Sequence, residues 1–251
     1  RPCPHIIAFH DAYTDLDKGC VCMVVEHMDA GTLQQFVQRG RALDEPTLAA
    51  VARSVLRGLV EMHAQHRIHR DVKPSNILLN SQGAVKISDF GVARELNATA
   101  SMATTFTGTL TYMSPERINN DNYSYPSDVW SLGLVVVTLA LGRFPLETSG
   151  GYWAVLESIQ QGPPPLLAPD GFSPELCDFV AQMLQRDPAD RPTTHALLEH
   201  PFLRRHPGVT LAPGLVDMPP TDRDKVQALM EEVVNYHVEA CLEIERPETE
   251  D

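Results

Sequence analysis

The sequence predicts an α+β protein with a few strands early and mainly helices after them. Three observations carry that reading. The stretch "GCVCMVVEHM" (19–28) is rich in valine and bounded by glycine, which reads as a buried strand. Two short apolar runs, Ile77–Leu79 and Val85–Ile87, flank "NSQG", a turn signal ending in the residue that adopts positive φ most easily. The third is helical periodicity. Asp44 is placed to cap a helix with Glu45 and Pro46 in its first turn. Leu48, Val51, Ala52, Val55, Leu56, Leu59 and Met62 then recur at spacings of three and four, an amphipathic helix of about five turns.

The remaining elements follow in order. "AGTLQQFVQ" enters a short helix before the capped one. Residues 92–113, rich in Thr, Ser and Ala, form a long surface loop. "SDVWSLGLVVVTLALG" is apolar almost all round, so it is a helix buried in the core of a large domain. Segments 152–160, 174–185 and 193–199 are helical in pattern and separated by Pro and Gly. A Pro/Gly linker (207–220) leads to an amphipathic stretch with Val226, Leu229, Met230, Val233, Val234, Cys241 and Leu242 on one stripe. An acidic tail, 243–251, ends the chain.

Composition narrows the function. The 251 residues are 43% hydrophobic and 21% charged, ordinary for a globular protein, and the net charge of −13 argues against nucleic-acid or anionic-membrane binding. Five cysteines (Cys3, Cys20, Cys22, Cys177, Cys241) are an odd number without paired metal-ligand spacing. They read as free thiols in a reducing compartment. The longest apolar run, 129–141, is shorter than the ~20 residues a membrane span needs, and no secretory signal opens the chain. A cytosolic or nuclear protein without membrane insertion is expected, as part of a longer product, since no initiator Met is present.

The stretch "IHRDVKPSNILLNSQGAVKISDFG" (68–91) concentrates the chemistry. Phosphoryl transfer from a nucleotide needs magnesium held by hard oxygens, positive charge near the moving phosphate and an oriented hydroxyl nucleophile. Asp71, Lys73 and Asn76 supply a carboxylate, an ammonium and an amide oxygen. The hairpin that follows brings Asp89 back beside Asn76, two oxygen ligands for one ion.

In order, "HRDVKPSN", a hairpin, "DFG" and "SPE" resemble the eukaryotic protein kinases, whose pattern is H-R-D-x-x-x-x-N, D-F-G and A-P-E. Ser114 is a departure from the Ala of the last motif. The resemblance covers Pro4 to about Leu203 and implies a protein-kinase-like fold in which 1–28 are the remainder of a small lobe and hinge strand. Residues 29–203 are then a helical large lobe, and 204–251 a linker and C-terminal helix. It implies ATP and magnesium as cofactors. By this resemblance Asp71 is the catalytic base, Lys73 neutralises the transferred phosphate, and Asn76 and Asp89 hold the metal. His69 and Phe90 belong to an internal hydrophobic spine, with Gly91 closing its motif. Asp128 bonds the catalytic-loop backbone, and Glu116 with Arg191 forms a buried ion pair. For the nucleotide, Val25 is the gatekeeper, Glu26 and Met28 offer backbone groups to adenine, and Leu78 is the floor. Thr32, Gln35 and Ser75 are candidates for ribose and phosphate contacts.

"VVEHMDAGTL", "HRDVKPSNILLNSQG", "DFGVA" and "GTLTYMSPERI" together resemble the MAP-kinase kinases, with Ala30 in place of a Gly and Thr111 in place of a Ser. That resemblance implies a protein substrate, a MAP kinase phosphorylated on Thr and Tyr, and an upstream MAP-kinase kinase kinase as activator. It places two regulatory phosphorylation sites at Ser101 and Thr105, with Arg70 as the cation that collects the phosphate. Thr99 and Thr104 read as plain loop polarity, and Thr109 as a contact to Asp71 and Lys73. A complete kinase also needs a Gly-rich loop, a strand lysine and a helix glutamate, and none lies in these residues. The polypeptide alone is therefore expected to turn over negligibly. The rival reading is a non-catalytic scaffold that docks other kinases through its helical lobe.

Overall fold

Two antiparallel hairpins and a set of packed helices make up this computed structural model, which describes residues 3–15, 19–88, 111–119, 124–146, 151–209 and 211. All of these lie in the first of the chain's two compact units, Arg1–Leu215; the second is Val216–Asp251.

β1 (Phe9–Asp15) pairs with β2 (Cys20–Val25), with Asp15 opposite Cys20 and Phe9 opposite Val25. The expected buried strand at 19–28 needs correcting. It is shorter and only half covered, with Val21 55% and Met23 37% exposed. A two-stranded ribbon lacks a layer on at least one face, so its valines reflect a preference for extended backbone more than burial. The sequence reading does not anticipate β1. "FHDAYTD" carries His and two Asp, residue types that mask a strand pattern.

After α1 (Gln34–Gln38) comes α2 (Glu45–Ala64), begun by Asp44, whose Oδ1 accepts the Thr47 N–H at 3.1 Å. All seven periodic apolar residues of α2 are 1% exposed or less. Their face packs on α4, α7 and β4. At about 1.5–3 kcal/mol for each large apolar side chain buried, this stripe does more to place α2 than helix propensity does.

β3 (Ile77–Leu79) and β4 (Val85–Ile87) pair in the register Ile77↔Ile87. Asn80 Oδ1 closes their turn by accepting the Gln82 and Ala84 N–H groups, and Gly83 has φ +83° there. Residues 30–33 run alongside β3. Ala30 N donates to Leu79 O, Leu79 N to Gly31 O, and Leu33 N to Ile77 O.

α3 (Pro115–Ile118) precedes α4 (Tyr125–Leu141), which is buried on every side from Ser127 to Ala140. α5 (Gly151–Gln160), α6 (Pro174–Met183), α7 (Thr194–Leu198) and α8 (Pro201–Arg205) complete the body, with α6 against α4. Most of the expected loop at 92–113 lies outside the described residues. Its described end turns inward: Tyr112 is 8% exposed and meets Phe144 edge-on at 5.5 Å. The amphipathic stretch after 221 and the acidic tail also lie outside them. Among the described residues no helix is long and apolar enough to cross a membrane.

Candidate active site

The turn between α2 and β3 is held from below by one buried carboxylate. Asp128, on the first turn of α4 and 1% exposed, accepts the His69 N–H at Oδ2 and the Arg70 N–H at Oδ1, both at 2.9 Å. His63, at the end of α2, places Nε2 2.9 Å from the same Oδ2. Arg70 sits at φ +71°, a strained value for a side chain with a Cβ. The two bonds to Asp128 help offset that strain. His69 ties the loop to the end of β4: its Nε2 donates to Ser88 O at 2.8 Å, while Nδ1 accepts the Asp71 N–H at 3.2 Å. That network assigns the proton to Nε2.

Above this strap, Asp71, Lys73 and Asn76 converge. Lys73 Nζ lies 2.9 Å from Asp71 Oδ2. Asn76 Nδ2 donates to Asp71 Oδ2 at 2.9 Å and to Asp71 O at 2.8 Å. Both amide hydrogens of Asn76 go to Asp71, and its remaining side-chain polar atom, Oδ1, is a hard oxygen of the kind magnesium takes. The Asn76 carbonyl accepts the Ser88 N–H at 2.9 Å. The two arms of the β3–β4 hairpin are thus closed directly before Asp89. Asp89 itself, with Phe90, Gly91, Ser101, Thr105 and Thr109, lies outside the described residues, as do Thr99 and Thr104.

The hinge candidate Glu26 is tied to β4 and to the segment before β1. Glu26 N donates to Ala8 O at 2.8 Å, Ala8 N returns a bond to Glu26 Oε2 at 3.1 Å, and Lys86 Nζ meets the Glu26 carboxylate at 2.5 and 2.7 Å. Burial pushes the Glu26 carboxyl up, but the bonds from Lys86 and the Ala8 amide outweigh it and hold its pKa below the ordinary value. Val25 is half-buried and Met28 buried. Leu78 is half-exposed between the buried Ile77 and Leu79, on the opposite face of β3 and on the same side as Lys86. Thr32 bridges to Leu78 through its backbone, and Gln35 packs against Gly31. Ser75 is exposed in the turn at Pro74–Asn76.

Glu116 and Arg191 make a bidentate pair at 2.7 and 2.8 Å, and Ser127 Oγ donates to Glu116 Oε1 at 2.7 Å. The Arg117 guanidinium donates to Arg70 O, joining α3 to the loop. Sequence reasoning does not single out His63, Lys86, Ser88, Arg117 or Ser127. For Lys86 the signal was available: it stands between two buried apolar residues of β4 and shares its face with Leu78. His63 carries no such mark, because its partner is 65 residues away.

A buried aspartate straps this loop from beneath, and the loop brings a carboxylate, an ammonium and an amide oxygen together, the kinds of group that phosphoryl transfer uses. The protein kinase domain matches residues 1–203, and the chain belongs to that family. Within it the chain resembles MAP kinase kinases. It is 43% identical over 214 residues to mitogen-activated protein kinase kinase 1c of Physcomitrium patens, covering 82% of this chain and 61% of that protein. It is 42% identical over 224 residues to mitogen-activated protein kinase kinase 2 of Arabidopsis thaliana, covering 86% and 61%. With the dual specificity mitogen-activated protein kinase kinase dSOR1 of Drosophila melanogaster, identity is 39% over 228 residues, covering 80% and 57%. The chain therefore spans less than two thirds of the length of each of these three relatives.

Proposed function

We propose that this chain belongs to an ATP-dependent kinase of a MAP-kinase cascade, phosphorylating Thr and Tyr in the activation loop of a MAP kinase. The observation that carries the reading is the convergence of Lys73 and Asn76 on the Asp71 carboxylate in a strapped loop. A magnesium-bound nucleotide, when present, supplies the phosphoryl group. Asn76 Oδ1, with Asp89, would hold the metal. Asp71 orients the substrate hydroxyl and takes its proton as the new O–P bond forms and the bond to the nucleotide breaks. Lys73 neutralises the charge on the transferred group. The backbone of Glu26 and Met28, with the side chains of Leu78 and Val25, would hold the adenine. The relatives' names support the cascade, and the Drosophila relative's name supports dual specificity.

Regulation follows the same reading. An upstream MAP-kinase kinase kinase adds phosphate at Ser101 and Thr105, each worth about −1.5 to −2 charges, and Arg70 draws that charge toward the catalytic loop. One assay tests both parts: phosphate incorporation into a recombinant MAP kinase by the full-length gene product. Asp71→Asn should lower kcat by about 10²–10⁴ while leaving the KM for ATP little changed. Ser101→Ala with Thr105→Ala should abolish the response to the activator. Activity in the Asp71→Asn protein within tenfold of wild type would overturn the catalytic assignment.

A further inference from the structure

Strand register brings together three groups that look unrelated in the sequence. Cys20 and Cys22 are two apart on β2, so both point to one face of the ribbon. Asp15 on β1 stands directly opposite Cys20, which puts its carboxylate on that same face. The two Sγ atoms are 4.0 Å apart, and one ligand atom from each of the three residues lies within 4.8 Å of the other two. Among the described residues this is the one group of His, Cys, Asp and Glu with ligand atoms so close.

The distances choose between two uses of the thiols. A disulfide needs Cβ atoms about 3.5–4.5 Å apart, whereas residues two apart on a strand advance about 6.6–6.8 Å. Extended backbone therefore disfavours a Cys20–Cys22 bond. A tetrahedral zinc ion with Zn–S bonds of about 2.3 Å sets its two sulfurs about 3.8 Å apart, within a few tenths of an ångström of the spacing here. A carboxylate oxygen about 2.0–2.2 Å from the same ion completes three protein ligands. That step needs only side-chain torsions on an open face, where Cys20 is exposed and Cys22 and Asp15 half-exposed.

We propose that this face of the β1–β2 hairpin binds one thiophilic divalent ion of the zinc class through Cys20, Cys22 and Asp15, with water in the fourth position. Binding replaces the two thiol protons, which pass to solvent, and involves no oxidation or reduction. Asp15 and Cys20 also take part in other interactions, which the ion displaces. The proposal uses none of Asp71, Lys73 or Asn76, so its failure would leave the kinase assignment standing.

The probe is Cd²⁺, titrated into the chain under a non-thiol reductant and followed by the thiolate-to-cadmium charge-transfer band. The expected result is a saturable band at about one equivalent, removed by competing Zn²⁺. Replacing the other three cysteines together (Cys3→Ser, Cys177→Ser, Cys241→Ser) should leave it intact. Cys20→Ser and Cys22→Ser should each weaken binding by at least about tenfold, and Asp15→Asn by about tenfold. These are exposed or half-exposed side chains, and unchanged far-UV circular dichroism would confirm that the variants fold. The absence of a band on the wild-type chain would overturn the proposal. So would a band lost with Cys3, Cys177 or Cys241, or one that survives Cys20→Ser and Cys22→Ser combined.

Discussion

Arg191 has five N–H donors and all five meet oxygens. Nε donates to Gln185 O at 2.7 Å. Nη1 donates to Glu116 and to Pro126 O, and Nη2 to Glu116 and to Arg186 O. Its guanidinium carbon lies 5.0 Å from the centre of the Trp130 ring, and its side chain is wholly buried. Taking two charges out of water costs several kcal/mol per ion, and only complete hydrogen bonding offsets it. Burial pushes the Glu116 carboxyl up; the bonds from Arg191 and Ser127 outweigh that and hold its pKa below the ordinary 4.5. A carboxyl lowered by folding stabilises the fold fully above its ordinary value, and the contribution is lost as pH falls through the folded one. Glu116→Gln leaves the guanidinium buried without its counter-charge, so it should cost about 3–5 kcal/mol at neutral pH. Urea melts of both proteins at falling pH check this. The gap should narrow below pH 4.5 as the wild-type carboxyl takes its proton, and a gap constant across that range would contradict the account.

α4 shows what a sequence pattern conveys about an element and what it does not. Its apolar run fits a buried helix with neighbours on all sides, and the structure has one. The pattern does not explain Gly133 in mid-helix. A Cβ there would stand 2.8 Å from Leu184 Cδ2 and 3.0 Å from Met183 Cβ, at the contact with α6. Ala would gain about 1 kcal/mol in helix propensity, against about 1–3 kcal/mol for overpacking. The Leu184 methyl can swing away, but Met183 Cβ is fixed to backbone, so overpacking should win. Gly133→Ala is expected to lower stability by about 1–2 kcal/mol, read as a lower urea midpoint at unchanged m-value. A higher midpoint would show that α6 yields. The periodic face of α2 was legible because burial on one side imposes a spacing on the sequence itself. β1 was not, since its pairing with β2 depends on partners the local sequence does not display.

At the scale of the molecule, the legible part of the site is the part close in sequence. Asp71, Lys73 and Asn76 lie within one turn, so their order alone suggests a shared task. Asp128 was placed by its resemblance to a known pattern. The bonds that join the small hairpin to the helical body were hidden, because they run between residues far apart. Ile7 N donates to Ile87 O, and Ile87 N to His5 O. Lys86 then reaches across 60 positions to Glu26, with both side chains mostly covered. A two-stranded ribbon is marginal by itself; its order here depends on this junction. Removing the ammonium leaves Glu26, among the described residues, with the hydrogen bond from the Ala8 amide, a loss of about 1–2 kcal/mol for a mostly covered, charge-assisted bond. Lys86→Ala should therefore raise amide exchange in β1 and β2 by about tenfold, with exchange in α2 and α4 unchanged, as measured by hydrogen–deuterium exchange. A uniform rise would place Lys86 in the global fold instead. No rise would mean that the backbone bonds at Ile7 and Ile87 hold the junction unaided.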